Sequence, residues 1–349
     1  MEYLATKSTL KEDSVKEPDS YLGALIKKWR IDGVDDPEKT RWAMSAEKYI
    51  KLALRDVERA LEEKGKMLPS KASGAFSNTS YRPELDDTDE LDADETTYFQ
   101  GLIGILRWCI ELGRVDIITE TTLLSSFLAC PRRGHLDQAL HIFAYLKKHE
   151  RSAMVFDDTQ PNLRGFEFRD ADWSEQYPGA REPIPRNSPE PRGNSVTMTA
   201  YVDASHAGCR VTRRSHTGIF VFVNRAPILW FSKRQSTVEA STFGSEFVAL
   251  KTAVDLIEGL RYKLRMFGIP VDGPTSVLCD NSSVVQNTTA PESPLKKKHL
   301  SIAYHRCREA CAAKTIVIGY VNTKDNLADL ATKVLPALQR HKLVRMILW

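Results

Sequence analysis

The chain has 349 residues, 42% hydrophobic and 27% charged, with a formal net charge of +3. That length admits two domains of ordinary size, and the composition is that of a globular protein in water. No run of about 18 apolar residues marks a membrane span, no signal-type apolar core follows Met1, and the six cysteines form no CxxC pair. Membrane insertion, secretion and zinc binding are therefore set aside, and reduced intracellular thiols are expected. A charge of +3 does not by itself point to nucleic acid, although it is compatible with a local basic track.

Residues 1–20 are polar and without period. Tyr21–Trp29 reads as a strand or strand–turn. A helix is expected from Ser45, a plausible N-cap, with Ile50, Ala53, Leu54, Val57 and Leu61 on one face and Gly65 as its stop. Residues 66–95 read as loop, ending in the acidic run Pro83–Glu95, which is taken as solvated chain leading into a helix N-terminus. Between 96 and 149 three apolar stripes predict two or three helices. Phe99, Leu102, Ile103, Leu106 and Ile110 form the first; Thr122–Leu128, stopped by Pro131, the second; Leu136, Leu140, Phe143, Ala144 and Leu146 the third. Periodicity alone gives a small helical bundle.

Residues 151–195 change character. Six prolines punctuate a polar stretch, which predicts an extended spacer and a domain boundary. Asp170-Ala171-Asp172-Trp173 looks like an acidic pair, but no hairpin follows it, and it is placed in the linker. From Val196 the elements are distinct. Strands are expected at 197–203, 217–223 and 227–233, linked as an antiparallel meander. A long helix follows over roughly 238–266, then a strand at 275–279, a short helix at 282–288, a helix from about 299 to 313, a strand at 315–321, and a last helix from near 326 toward 343. The order βββαβαβα is that of the ribonuclease H fold, a mixed five-stranded sheet with flanking helices.

Asp203 ends the first of these strands, Glu246 lies in the long helix, Asp280 ends the fourth strand and Asp329 opens the last helix. Strand acid, helix acid, strand acid, helix acid is a pattern that gathers four carboxylates at one point. Such a cluster repels itself unless cations bind, and Mg²⁺ prefers oxygen ligands and bridges readily to phosphate. The residues therefore read as a two-metal phosphodiesterase. Asp325 competes with Asp329 for the fourth place, and the Leu-Ala-Asp context favours Asp329.

The motifs YVDASHAG (201–208), RRSHTGIFVFVNRAPILWFSKRQSTVEASTFGSEFVAL (213–250), VLCDNSSVV (277–285), KKHLSIAYHRCRE (297–309) and NLADLATK (326–333) occur in family order and at family spacing. In them the chain resembles the ribonuclease H domain of copia-like (Pseudoviridae) LTR-retrotransposon Pol polyproteins. Residues 98–149 resemble the thumb and connecting helices at the end of the same polyprotein's reverse transcriptase. YLGALIKKW and the helix at 46–64 resemble the part just after the palm. The resemblance implies three segments: a reverse-transcriptase remnant (1–150), a Pro-rich linker (151–195) and a ribonuclease H-like domain (196–349). No YVDD-type pair stands between Met1 and Lys148, so polymerase activity is not expected, and the chain reads as a fragment whose partner in a full-length polyprotein is an upstream palm.

The resemblance also implies the chemistry: hydrolysis of the RNA strand of an RNA–DNA hybrid with two Mg²⁺ ions, or Mn²⁺ in their place, roughly 3.5–4 Å apart. It makes Asp203 the bridging ligand, with Glu246 and Asp280 on one ion and Asp329 on the other. Hybrid contacts fall to Arg213, Arg214, Lys233, Arg234, Lys297, Lys298 and His299 as phosphate-binding groups, with Ser282 and Gln286 near the third acid reaching phosphates or 2′-hydroxyls. His299 and His305 read equally as satisfied helix histidines. Ser205 stands where the family commonly has Asp. An integrase reading fails on order, since the residue about 35 positions after Asp280 is Thr315 and the glutamate precedes that Asp. The remaining alternative is a catalytically silent relic or nucleic-acid-binding scaffold. The family's setting is intracellular, in the cytoplasm, a virus-like particle or the nucleus.

Overall fold

Leu22 and Gly23 both take positive φ, 49° and 95°, and close a tight turn between strands β1 (Ser20–Tyr21) and β2 (Ala24–Arg30). The computed structural model describes residues 17–30, 39–295 and 298–348. Two further strands, β3 (Thr40–Ser45) and β4 (Ala153–Phe156), complete a four-stranded antiparallel sheet in the order β1-β2-β3-β4. Strand β4 falls inside the stretch read as spacer from 151. Its apolar run Ala153-Met154-Val155-Phe156 pairs with β3, so extended irregular chain begins only after Phe156.

Four helices, α1 (Glu47–Glu62), α2 (Ala93–Glu111), α3 (Ile118–Leu124) and α4 (Arg133–Lys148), share one core with the inner residues Met44 and Met154 of this sheet, and α1 lies directly against β2. The expected bundle is thus a helical layer on a sheet. The acidic run behaves as a helix entry: Asp92 Oδ1 accepts from the Glu95 N–H at 2.8 Å and caps α2.

The second half is a mixed five-stranded sheet of β5 (Met198–Ser205), β6 (His216–Val223), β7 (Ala226–Arg234), β8 (Thr275–Cys279) and β9 (Ile316–Tyr320), in the order β7-β6-β5-β8-β9. The three strands β5, β6 and β7 are antiparallel, and β8 and β9 run parallel to β5. This is the sheet of the ribonuclease H fold. Asn224, at φ 53°, turns the β6–β7 hairpin. Helices α5 (Thr242–Met266), α6 (Ser282–Thr289) and α7 (Ser301–Ala312) follow. On one face Phe247, Leu250, Val254 and Ile257 of α5 pack with Tyr304, Cys307 and Cys311 of α7.

The other face is covered by the first half of the chain. Phe220 and Phe222 of β6 share one core with Leu102, Leu106 and Leu124 and with Leu327, Leu330 and Leu343 from the C-terminal stretch. That stretch is not one helix. It is a tight 3₁₀ turn, Leu327–Ala331, and a separate helix α8 (Ala337–Val344), with Pro336 as the N-cap of α8. Charge is buried at the same junction. Arg114 forks Asp116 at 2.9 and 2.7 Å, and Arg340 of α8 pairs with Glu120 of α3 and donates to the Asp116 carbonyl.

The spacer is docked along its length. Trp173 is buried in the core of the second half, Phe168 bridges to Gly319, and Glu182 is gripped by Arg261 and Arg265 at 2.5–2.8 Å. The acidic pair beside Trp173 points elsewhere. Asp172 accepts from the Ser174 N–H, and Asp170 pairs with Lys314.

Candidate metal centre and active site

Strand β5 is central, with β6 on one side and β8 on the other, so its residues are fixed from both edges. Asp203 lies opposite Gly218 of β6, and Asp280 directly follows Cys279, which pairs in register with Val202. Both carboxylates are thereby presented at one end of the sheet. Glu246 arrives from the first turns of α5. Ser241 caps that helix, and Gln235 Nε2 ties it to β6 by donating to the Thr217 hydroxyl at 3.0 Å and the Ser245 carbonyl at 2.9 Å. Asp329 sits in the Leu327–Ala331 turn, which Asn326 pins to β5: its Nδ2 donates to the Val202 carbonyl at 3.0 Å, and its Oδ1 accepts from the Ala328 N–H. Thr119 of α3 and Ser232 of β7 hold the same turn through the Leu330 and Ala331 carbonyls, each at 2.7 Å.

The result is a convergence of acids. Ligand atoms of Asp203, Asp280 and Asp329 lie within 4.8 Å of one another, and so do those of Glu246, Cys279 and Asp280. Asp203, Glu246 and Asp329 are buried. Asp325 is exposed and pairs with Lys342 at 2.5 Å, away from the cluster. Burial, then the charges of Asp203 and Asp280, push the Glu246 carboxyl well up from its ordinary range. Burial and Asp203 raise Asp329 and Asp280 as well, against the opposing pull of Lys333.

The donor set suits a hard divalent cation. The donors are carboxylate oxygens, and Glu246 Oε2 is buried with no hydrogen-bond partner among the described residues, an oxygen that burial leaves costly unless something electropositive meets it. Cys279 does not make the site soft, because burial raises its thiol well above the usual range and disfavours the thiolate.

Three residues that the four-acid pattern did not single out belong to the site. Lys333 Nζ lies 2.6 Å from Asp329 Oδ1 and 3.2 Å from Asp203 Oδ2. Thr332 Oγ1 donates to Asp203 Oδ2, and Asn326 anchors the Asp329 turn. Lys333 and Thr332 stand at the end of the NLADLATK motif, four and three residues after Asp329, and that spacing was the available signal.

Gly218 permits this packing. A Cβ there would lie 2.6 Å from Thr332 Cγ2 and 2.7 Å from the Ala328 carbonyl oxygen, which is backbone and cannot yield cheaply. Gly218→Ala is expected to cost about 1–3 kcal/mol of stability and to weaken divalent-ion binding by displacing the Asp329 turn. Chemical denaturation and a Mg²⁺ titration check it, and an unchanged Mg²⁺ affinity would contradict it.

The expected hybrid-binding residues fall in different places. Arg234 lines a 180 Å³ cleft beside the acids, together with Ser205, His216, Thr332 and Lys333 and, from the first half of the chain, Arg82 and Phe127. Lys233 is exposed on β7, and Arg213 and Arg214 lie in the turn before β6. Ser282 and Gln286 are exposed on α6, which follows Asp280-Asn281. Lys298 and His299 are exposed, with His299 Nε2 3.7 Å from Glu239. Lys297 lies outside the described residues. His305 is engaged by Tyr177 at 2.8 Å.

His216, in the cleft wall, is buried, and its Nε2 has no partner among the described residues. Burial first, and then Arg234, lower it to about 4. A histidine depressed in the fold stabilises the native state above its unfolded value of about 6.5, and that contribution is lost as pH falls toward 4. Between pH 7 and 5 the wild type is expected to lose about 2 kcal/mol more than His216→Gln. Denaturation midpoints at the two pH values check this, and parallel losses would remove His216 as the source.

No family model matches the chain. Its homologues are retrotransposon Pol polyproteins. It is 26% identical over 241 residues to the Pol polyprotein from transposon RE1 of Arabidopsis thaliana, covering 69% of this chain and 14% of that one. It is 23% identical over 305 residues to the truncated transposon Ty1-A Gag-Pol polyprotein of Saccharomyces cerevisiae, covering 83% of this chain and 22% of that one. The chain thus spans less than a quarter of the length of these relatives. Among solved structures it is similar to the N-terminal ribonuclease H domain of a Mycobacterium tuberculosis protein, at 14% identity over 43% of this chain and 98% of that one, with a TM-score of 0.30. A score of that size adds nothing to the strand order itself.

Proposed function

We propose that this chain carries the ribonuclease H portion of a retrotransposon Pol polyprotein, joined to the end of its reverse transcriptase, and that it hydrolyses the RNA strand of an RNA–DNA hybrid. The observation that carries the reading is the convergence of Asp203, Glu246, Asp280 and Asp329 from four separate elements, three of them within 4.8 Å of one another. Asp203 is the hub, oriented by Thr332 and in reach of the other aspartates. Glu246 and Asp280 form one flank, Asp329 the other. Mg²⁺ held there would supply the Lewis acidity that phosphodiester hydrolysis needs. Arg234 and the turn carrying Arg213 and Arg214 are suited to the phosphates of the duplex, and Ser282 and Gln286 to the strand lying over Asp280. Residues of the first half, Arg82 and Phe127, border the same cleft, which fits a domain that works joined to the end of a reverse transcriptase.

The test is strand and duplex selectivity. Labelled RNA–DNA, DNA–DNA and RNA–RNA duplexes are incubated with the protein in Mg²⁺. Cleavage confined to the RNA strand of the hybrid is expected. Equal cutting of the DNA duplex would replace this reading with a general nuclease.

A further inference from the structure

Lys333 occupies an unusual position for a lysine. Its ammonium is within hydrogen-bond distance of two of the four acids, 2.6 Å from Asp329 Oδ1 and 3.2 Å from Asp203 Oδ2, so a cation held by these two aspartates would compete with it for the same carboxylates. The placement is built. Lys333 is four residues from Asp329, its N–H donates to the Asp329 carbonyl at 3.0 Å, and the preceding Thr332 is bonded to Asp203. No other lysine or arginine ion-paired to Asp203, Glu246, Asp280 or Asp329 is found among the described residues.

We infer that Lys333 is a built-in counter-ion that a divalent cation must displace from Asp203 and Asp329, so that it sets the metal affinity of the site. The inference rests on the four-acid metal reading above. Three aspartates with ligand atoms within 4.8 Å repel one another, and one ammonium between two of them offsets part of that repulsion. A metal ion gains the carboxylates only by releasing the ammonium, and metal affinity is lowered by the free energy of that pairing. Lysine suits such an exchange, since its charge sits on a flexible four-carbon stem and does not grip bidentately as arginine does. The side chain is 36% exposed and borders the cleft also lined by Ser205, His216 and Arg234. The released ammonium therefore has a place to go, on the side from which a phosphate would approach.

The experiment is calorimetric titration of Mg²⁺ into wild type, Lys333→Met, Lys333→Arg and Asp280→Asn, without nucleic acid. Lys333→Met is expected to bind Mg²⁺ about tenfold more tightly than wild type, the effect of removing a competing pairing worth roughly 1.4 kcal/mol, while Lys333→Arg, which keeps a competing cation, does not tighten. A purely structural lysine would leave the affinity unchanged or weaken it on removal, and either result overturns the inference. If wild type binds no Mg²⁺, or if binding survives Asp280→Asn undiminished, the metal reading itself fails, which is a different outcome. A second measurement uses the wild type alone, in case Lys333→Met does not fold. Acylation of Lys333, read by mass spectrometry, is expected to rise on saturation with Mg²⁺, and no change would also overturn the inference.

Discussion

Asp203→Asn is expected to lower hybrid cleavage by at least about 100-fold, the upper end of what outer-shell changes cost at metal sites, without unfolding the protein. Asp203 is the residue through which the cluster is joined. It lies within ligand reach of Asp280 and Asp329, its charge helps to raise Glu246, and Lys333 and Thr332 both contact it. Neutralising it replaces one carboxylate oxygen by an amide nitrogen and strips the charge from the other, and it also removes repulsion. In metal-free protein above neutral pH the second effect should show. Glu246 and Asp329 have folded values raised above their unfolded ones, so their contribution to stability is present at low pH and lost as pH rises through the raised values. With Asp203 neutral that loss shrinks. Denaturation of metal-free protein at pH 8 should therefore find Asp203→Asn no less stable than wild type, the usual trade between stability and function at such a site. A folded Asp203→Asn protein that still cuts within about tenfold of wild type would remove Asp203 from the centre.

The second large effect is on the fold. Arg340→Met is expected to destabilise the protein by about 3–5 kcal/mol, the cost of leaving a buried charge unpaired. Arg340 and Glu120 are both buried, at 5% and 1% exposure, and they join α8 to α3 across the junction of the two halves. Burial raises Glu120 even with Arg340 beside it, so without Arg340 its carboxyl must stay charged and unpaired or take up a proton, and either outcome costs stability. The loss is a large share of the roughly 5–15 kcal/mol by which domains are stable. Replacing both residues, Arg340→Met with Glu120→Met, should recover much of it, because an apolar pair leaves no orphaned charge. Urea denaturation of the single and double variants checks this. A double variant as unstable as the single one would mean that the Arg340 contact to the Asp116 carbonyl, and not the ion pair, carries the junction.

The second half of the chain was legible because its elements are self-announcing. β5 is a short apolar run with Asp203 near its end, β8 is followed at once by Asp280, and α5 repeats Phe247, Leu250, Val254 and Ile257 at helical spacing. The sheet of the first half was not. β3 and β4 have six and four residues, and their pairing joins Trp42 to Phe156 across most of the helical segment, a non-local contact with no local pattern behind it. The split of the last helix had a signal in Pro336, which the apolar periodicity on either side obscured. Within the candidate site, the acids stood out by their places at strand ends and in helices. Lys333 did not, because a lysine four residues after an aspartate reads as an ordinary surface pair. Its contact with Asp203 spans two distant elements. Trp173 stands in the stretch read as a Pro-rich spacer, and only the fold buries it against Arg308 and the α7 face.

The most direct measurement is cleavage of an end-labelled RNA–DNA hybrid in Mg²⁺ by wild type and Asp280→Asn purified side by side, each with and without EDTA. Cutting of the RNA strand that needs the metal and disappears in the variant is the predicted result. Cutting that survives Asp280→Asn would contradict the assignment of Asp203, Glu246, Asp280 and Asp329 as one centre.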